Sequence, residues 1–210
     1  MGNNFYQENI TPEEIQNYEL SWFKGRIEVI ETLEAFHRVI PRLKKEKLLG
    51  FDTETRPSFK KGHRNKVALI QLASHDLACL FRISKIGIPP ELASILANPA
   101  IIKAGVAVHD DIRYLKSING FAPAGFIDLQ QFVKDYGIQS AGLKKLTAIV
   151  LGFRISKSQQ VSDWAAEELS EAQLVYAATD AWVCREIYHT LTHPGPTNPG
   201  LQSGGITHRI

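Results

Sequence analysis

Two acidic residues stand two positions apart at the end of an apolar run, and their spacing points to metal chemistry. Residues 48–55 read Leu-Leu-Gly-Phe-Asp-Thr-Glu-Thr, a short run without helical spacing that predicts a buried strand ending in Asp52 and Glu54. Side chains two apart on a strand point to the same face, so these carboxylates project together. Two neighbouring anions in an apolar setting need a proton or a cation to compensate them. Divalent ions such as Mg²⁺ and Mn²⁺ fill that role because they prefer carboxylate oxygens.

A second acidic pair follows the apolar stretch 101–108, which predicts another buried strand. Asp110 and Asp111 come directly after it, at the start of a helical pattern that runs to residue 118. Acids at a helix start have an ordinary explanation, because the helix dipole and its free amides favour negative charge there. The carboxyl end of a strand in an open α/β sheet is also where ligands bind. Both interpretations remain open on spacing alone.

The third feature lies in a long amphipathic helix predicted from about residue 170, with Ser170 as its cap, to about residue 193. Tyr176 and Asp180 are four positions apart and therefore share one helix face. Small residues beside them would let that face approach the sheet closely. A surface Asp on a solvated face is the ordinary alternative. A tyrosine one turn from a buried carboxylate can instead orient a water molecule beside a metal.

The rest of the sequence predicts the strands and helices that must position these groups. Strands are predicted at 26–30, 67–73, 77–81 and, more briefly, 127–129, and short connections among the early strands indicate an antiparallel meander. Further helices are predicted at 31–47, 91–97 and 141–150. Strands that come first and then alternate with helices predict an α/β fold, with a mixed sheet flanked by helices.

These motifs together resemble a known family. Asp52-Thr-Glu54, Asp111 with Leu115 four positions on, and Tyr176-x-x-x-Asp180 resemble, in order, the three motifs of the DEDD superfamily of 3′–5′ exonucleases in its tyrosine subtype, DEDDy. The intervening segments resemble Werner-type and ribonuclease D-like exonuclease domains over about residues 26–190. They read Val-Ala-Leu-Ile-Gln-Leu from 67, Gly-Leu-Lys from 142, Ser-Asp-Trp from 162 and Leu-Ser-Glu-Ala-Gln from 169. The resemblance implies a ribonuclease H-like fold, a mixed five-stranded sheet with helices on both faces.

The same resemblance implies hydrolysis of phosphodiester bonds from the 3′ end of a nucleic acid with two divalent ions, Mg²⁺ or Mn²⁺. Asp52 would bridge both ions, Glu54 and Asp180 would hold the first, and Asp111 would support the second through water. Tyr176 would orient the attacking water; a phenol with a pKa near 10 is a poor base. Counting from the motif favours Asp111 over its neighbour, and Asp110 is then predicted to cap the helix.

A basic loop follows the metal-binding strand directly. Its residues Lys60, Lys61 and Arg64 are predicted to contact the substrate backbone. On its charge alone, the same loop could simply be exposed to solvent. The expected partner is DNA or RNA with a free 3′ end, and the sequence does not separate the two. No obligate protein partner is evident.

Bulk composition limits the class of protein without identifying it. The chain has 210 residues and a net charge of +2, which fit one domain and do not by themselves imply a nucleic-acid partner. Its two cysteines form neither a disulfide framework nor a ligand pair, and no stretch approaches about 18 consecutive apolar residues. A cytoplasmic, non-membrane protein is expected. We predict an N-terminal extension at 1–25, an exonuclease domain at 26–193 and a disordered tail at 194–210.

Two other functions remain open. The first is a catalytically idle nucleic-acid-binding module of the same fold, since fold alone does not give function. Degenerate relatives of that kind would have lost acids, whereas Asp52, Glu54, Asp111 and Asp180 are all present. The second is a metal-dependent phosphatase or nucleotidase, whose turnover would depend little on oligomer length.

Overall fold

A six-stranded mixed sheet forms the centre of the computed structural model, which describes residues 6–56 and 67–193. Within those residues the strand order across the sheet is β1-β4-β3-β2-β5-β6. The strands are β1 (Arg26–Ile30), β2 (Leu48–Thr55), β3 (Val67–Ala73), β4 (Leu77–Arg82), β5 (Ile102–Gly105) and β6 (Phe126–Asp128).

The strand pairing confirms the predicted meander and the mixed sheet. β2, β3 and β4 pair antiparallel in chain order, whereas β1 joins β4, β5 joins β2, and β6 joins β5 in parallel. The family resemblance implied five strands, and the described part of the chain forms six. The edge strand β6, which the sequence predicted at 127–129, has three residues in register with Lys103–Gly105.

Helices flank the sheet, and two of them begin at reciprocal side-chain caps. Thr11 and Ser170 each form a reciprocal capping box with the third residue of the helix that follows, as a Ser or Thr followed by Glu or Gln predicts. The helices are α1 (Pro12–Gln16), α2 (Leu33–Leu43), α3 (Ile83–Ile86), α4 (Pro90–Ala97), α5 (His109–Asn119), α6 (Leu129–Phe132) with a 3₁₀ turn after it (Val133–Tyr136), α7 (Leu143–Leu151) and α8 (Glu171–Thr192). No helix among the described residues is both long enough and apolar enough to cross a bilayer.

The predicted strand at 101–108 is shorter than expected, and β5 ends at Gly105. Two residues later Ala107 adopts a left-handed backbone with φ of 56°, which a strand cannot accommodate. Its amide donates a hydrogen bond of 3.1 Å to the Asp128 carboxylate, and that carboxylate also caps α6. A tertiary contact therefore stops the strand and turns the chain into α5.

The two largest of the four apolar clusters among the described residues lie on opposite faces of the sheet. One contains Phe36 of α2, Leu92 of α4 and Leu115 of α5, all fully buried. The other contains side chains from α7 and α8, and it also takes in Ile10 and Ile15, which are 2% exposed. Each such side chain contributes about 1.5–3 kcal/mol when buried. The described residues before β1 therefore pack on the folded body.

α8 lies unusually close to β2. Ala177, Ala178 and Ala181 are fully buried in it, and a Cβ added to Gly50 would stand 1.7 Å from the carbonyl oxygen of Ala181. The close approach predicted from these small residues is confirmed. It places the middle of α8 directly against the strand end that carries the first acidic pair.

Candidate active site

Three carboxylates from two elements meet at the carboxyl end of β2. Asp52 and Glu54 project from this strand, and Asp180 comes from the face of α8 that packs against it. One oxygen from each carboxylate lies within 4.8 Å of the others. Asp52 and Glu54 are two positions apart in the chain, whereas Asp180 comes 126 positions after Glu54. Only the first of these spacings indicates a shared face of one element.

Burial and mutual repulsion disfavour three negative charges here. Burial, followed by the charge of Asp180, raises the pKa of Asp52 well above its usual value. Burial and then the charge of Asp52 raise the pKa of Glu54 to about 9, and burial raises the pKa of Asp180 to about 7. Protons or cations must compensate such a cluster at neutral pH. Its all-oxygen donor set fits a hard divalent ion such as Mg²⁺ or Mn²⁺.

Tyr176 stands one helical turn before Asp180, and its hydroxyl lies beside that carboxylate. Burial, with the charge of Asp180 second, raises the pKa of the phenol above its usual value, so the hydroxyl is neutral. The Tyr176 ring packs beside the buried indole of Trp164, with the two ring centroids 5.9 Å apart. A neutral hydroxyl is therefore held at the edge of the carboxylate cluster as a hydrogen-bond donor.

Asp111 borders this cluster without being one of its three members. Its Oδ1 accepts a hydrogen bond of 2.8 Å from Thr53 Oγ1 on β2, and burial raises its pKa. Its charge also contributes to the raised pKa values of Asp52 and Glu54, which places it within electrostatic reach of both.

The prediction that Asp110 caps α5 is wrong. The cap position is Val108, which makes no side-chain cap bond, and Asp110 is the second residue of the helix. The turn at Ala107 starts the helix earlier than the acid pattern indicated. Asp110 points into solvent, 87% exposed, and pairs with Arg113 at 3.3 Å. Of the two neighbouring acids, Asp111 is the one turned toward β2.

The predicted substrate-binding residues Lys60, Lys61 and Arg64 lie outside the described residues. Two other lysines, Lys144 and Lys157, line a cavity of about 230 Å³ that also borders Tyr176 and Asp180. The charge of Lys157 lowers the pKa of Asp180, so it acts directly on the site. Sequence reasoning missed Lys157 because no motif surrounds it.

Sequence reasoning also missed Gln71, a polar residue in the otherwise apolar strand β3. It is fully buried and stands opposite Asp52 in the antiparallel pair of β2 and β3. Both polar atoms of its amide lack a hydrogen-bond partner among the described residues. A buried polar group of this kind is costly, and its place next to a proposed ligand indicates a role at the cluster.

Comparison with known proteins agrees with this geometry. The sequence profile described as 3′–5′ exonuclease matches residues 27–194. Exonuclease 3′-5′ domain-containing protein 2 of Drosophila melanogaster is 36% identical over 176 residues, which cover 79% of this chain and 30% of that protein. The bifunctional 3′-5′ exonuclease/ATP-dependent helicase WRN of Mus musculus is 34% identical over 162 residues, covering 74% of this chain and 12% of that protein.

A solved structure supports the same assignment. The crystal structure of Escherichia coli RNase D, an exoribonuclease involved in structured RNA processing, superposes with a TM-score of 0.70 at 26% identity. The superposition covers 80% of this chain and 44% of that one. The chain spans less than half the length of each of these three relatives. The predicted resemblance and the ribonuclease H-like fold are confirmed, and the chain belongs to the 3′–5′ exonuclease family.

Proposed function

We propose that this chain is a metal-dependent exonuclease that removes nucleotides from the 3′ end of a nucleic acid by phosphodiester hydrolysis. The observation that carries the proposal is the convergence of three carboxylates within 4.8 Å, one buried and two half-buried, with the neutral Tyr176 hydroxyl beside Asp180. Membership of the 3′–5′ exonuclease family supports the direction of cleavage. The proposed subtype is the tyrosine one.

The proposed roles follow from the position of each group. Asp52, Glu54 and Asp180 would hold divalent metal, and Asp111, which accepts a hydrogen bond from Thr53, would support a second ion. Two bound Mg²⁺ or Mn²⁺ ions would neutralise phosphate charge and acidify water. Tyr176, a neutral donor, orients the attacking water and does not remove its proton.

Phosphate contacts are proposed for two sets of basic residues. Lys60, Lys61 and Arg64 remain proposed contacts to the substrate backbone, as the sequence predicted. Lys144 and Lys157 join them because their cavity borders Tyr176 and Asp180. Contacts of this kind make binding salt-dependent and do not read sequence. RNase D of Escherichia coli is an exoribonuclease involved in structured RNA processing, so RNA is the first substrate to test. A cytoplasmic location stays a prediction.

Labelled oligonucleotides test the proposed function directly. We expect 5′-labelled single-stranded RNA or DNA to shorten progressively from the 3′ end with Mg²⁺ or Mn²⁺ present and to stay intact in EDTA. Asp180→Asn serves as the inactive control, because it removes one of the three converging carboxylates. A catalytically idle module would bind the oligonucleotides without shortening them. A small-substrate phosphatase would hydrolyse mononucleotides and leave oligonucleotides intact, and either result would refute the proposal.

Paired Asn substitutions test the two adjacent acids of α5. Asp111→Asn is expected to lower kcat by about 10- to 100-fold, a range typical of residues that support metal ligands. Asp110→Asn should stay within about twofold, because its exposed carboxylate contacts only Arg113 among the described residues. Single-turnover rates at saturating Mn²⁺ would measure the difference. Equal losses in the two variants would contradict the assignment of Asp111.

A further inference from the structure

A row of four side chains crosses the face of the sheet that packs against α8. Residues paired directly across neighbouring strands point to the same face of a sheet. The pairing of β1 with β4, of β4 with β3 and of β3 with β2 therefore places these four residues side by side: Val29, Leu80, Gln71 and Asp52. The row begins with apolar side chains and ends at a carboxylate of the proposed metal site. Gln71 stands between the two.

Apolar side chains surround Gln71 on the rest of this face. Its neighbours along β3 are Leu69 and Ala73, both fully buried, and these two residues pack with buried alanines of α8. Such side chains neither donate nor accept hydrogen bonds. Arg82, further along β4, donates its hydrogen bonds to Glu31 and to backbone carbonyls of the loop before α8. The carboxylate directly across the pair of β2 and β3 is therefore the polar group best placed to partner the amide.

The Gln71 amide has no hydrogen-bond partner among the described residues, at either Nε2 or Oε1. A buried amide in this condition destabilises the folded state. A leucine or methionine in the same position would continue the apolar row and avoid that cost. The polar side chain therefore needs a reason that the fold alone does not supply.

Metal binding by Asp52 supplies such a reason. An ionised carboxylate only accepts hydrogen bonds, and its two oxygens offer about four lone-pair positions, so positions remain for a donor when ions are bound. Glu54 and Asp180, the other carboxylates of the cluster, are acceptors as well and cannot provide that donor. The amide nitrogen of Gln71 is a donor on the same face. Buried partners of this kind fix the orientation of metal ligands.

We propose that Gln71 is a positioning residue for the metal site, whose amide nitrogen donates to the Asp52 carboxylate and holds it in the orientation that binds the ion. The proposal rests on the proposed metal-dependent function and adds to it a residue outside the acidic and tyrosine motifs. It implies two effects of opposite sign. The amide lowers stability while it has no partner, and it raises metal affinity once it has one.

Gln71→Met tests both effects, since it removes the amide and keeps an unbranched side chain of similar length. In EDTA, where the amide has no partner, the variant should melt at or above the wild-type Tm. Mn²⁺ titrated by calorimetry without substrate should bind the variant about 10- to 100-fold more weakly than the wild type. The Mn²⁺ concentration for half-maximal cleavage should rise by the same factor, with the KM for the oligonucleotide unchanged.

Leu80→Met is the matched control, because it places a methionine at the adjacent position of the same row and leaves the Gln71 amide intact. Its Mn²⁺ affinity should equal that of the wild type, and an equal loss of affinity in both variants would overturn the proposal. A role of Gln71 in folding alone would lower the Tm of Gln71→Met in EDTA and leave the Mn²⁺ affinity of the folded protein unchanged. Either of these results would also overturn the proposal.

A second variant covers the case in which Gln71→Met does not fold. Gln71→Leu removes the amide with a shorter apolar side chain and has the same expected results. If neither variant folds, the amide supports the fold without metal and the proposal is wrong. A wild type that binds no Mn²⁺ would refute both this inference and the proposed function. A wild type that binds Mn²⁺ and cleaves no oligonucleotide would refute the proposed function alone, and the Mn²⁺ affinities would still decide the role of Gln71.

Discussion

Gly50→Ala is expected to inactivate the chain and to lower its free energy of unfolding by about 3 kcal/mol. The added Cβ would stand 1.7 Å from the carbonyl oxygen of Ala181 and 2.7 Å from its carbonyl carbon. Both are backbone atoms of α8, so no side-chain rotation relieves the clash and the helix must move away from β2. Asp180 precedes Ala181, and Asp52 lies two residues from Gly50. The displacement therefore separates the carboxylates that must meet.

Thermal unfolding and the oligonucleotide assay would measure the two effects of Gly50→Ala. A loss of about 3 kcal/mol corresponds to a fall in Tm of roughly 6–12 °C for a chain of this size. Gly142→Ala is the matched stability control, since a Cβ there meets nothing within 4 Å and the backbone φ is −85°. It should cost less than about 1 kcal/mol. A Gly50→Ala protein that melts with the wild type and still cleaves would show that α8 does not require this contact.

The parts of the fold that the sequence predicted correctly are those set by local periodicity. Asp52 and Glu54 share a face because a strand has a period of two residues, and Tyr176 and Asp180 share one because four residues make about one helical turn. The small residues of α8 likewise predicted close packing without knowledge of its partner. For these groups the type and spacing of residues are sufficient, since each pair lies within one element.

The parts that the sequence did not predict depend on contacts between distant segments. β5 ends early because the Ala107 amide bonds to Asp128, 21 residues away, and this turn also places the start of α5 before Asp110. No local pattern contains that interaction. A cavity of about 390 Å³ beside Tyr176 and Asp180 exists only where residues 20–22 meet α8, more than 130 residues later in the chain. The sequence around Trp22 does not distinguish it from an aromatic residue that anchors the segment on the core.

Asp52→Asn is expected to abolish cleavage and, in the absence of metal, to raise the stability of the folded chain. Burial and the charge of Asp180 raise the pKa of Asp52, and Glu54 shares the site with a pKa of about 9. The folded state therefore holds more protons than the unfolded state above about pH 4, the usual carboxyl value. Stability that depends on these protons is complete below that pH and is lost as pH rises toward the folded-state values. Removing one charge should reduce the loss.

Unfolding in EDTA between pH 5 and pH 9 would measure this effect. The wild-type Tm should fall more steeply with pH than that of Asp52→Asn, and at pH 8 the variant should melt higher by about 2–4 °C, the shift expected for about 1 kcal/mol. Asp110→Asn is the matched control and should follow the wild type, because its carboxylate is exposed at the surface.

Adding Mn²⁺ should reverse the order of the two proteins. A ligand that binds only the folded state stabilises it by about 2.7 kcal/mol at 100 times its Kd. The wild type, with all three converging carboxylates, should gain this stabilisation, whereas Asp52→Asn should gain little. A variant that is less stable than the wild type in EDTA at pH 8 would contradict the proposed effect of burial and of repulsion from Asp180 on the Asp52 charge. If Asp52→Asn is more stable than the wild type in EDTA and less stable in Mn²⁺, the bound ion relieves the repulsion that these acids exert on one another without it.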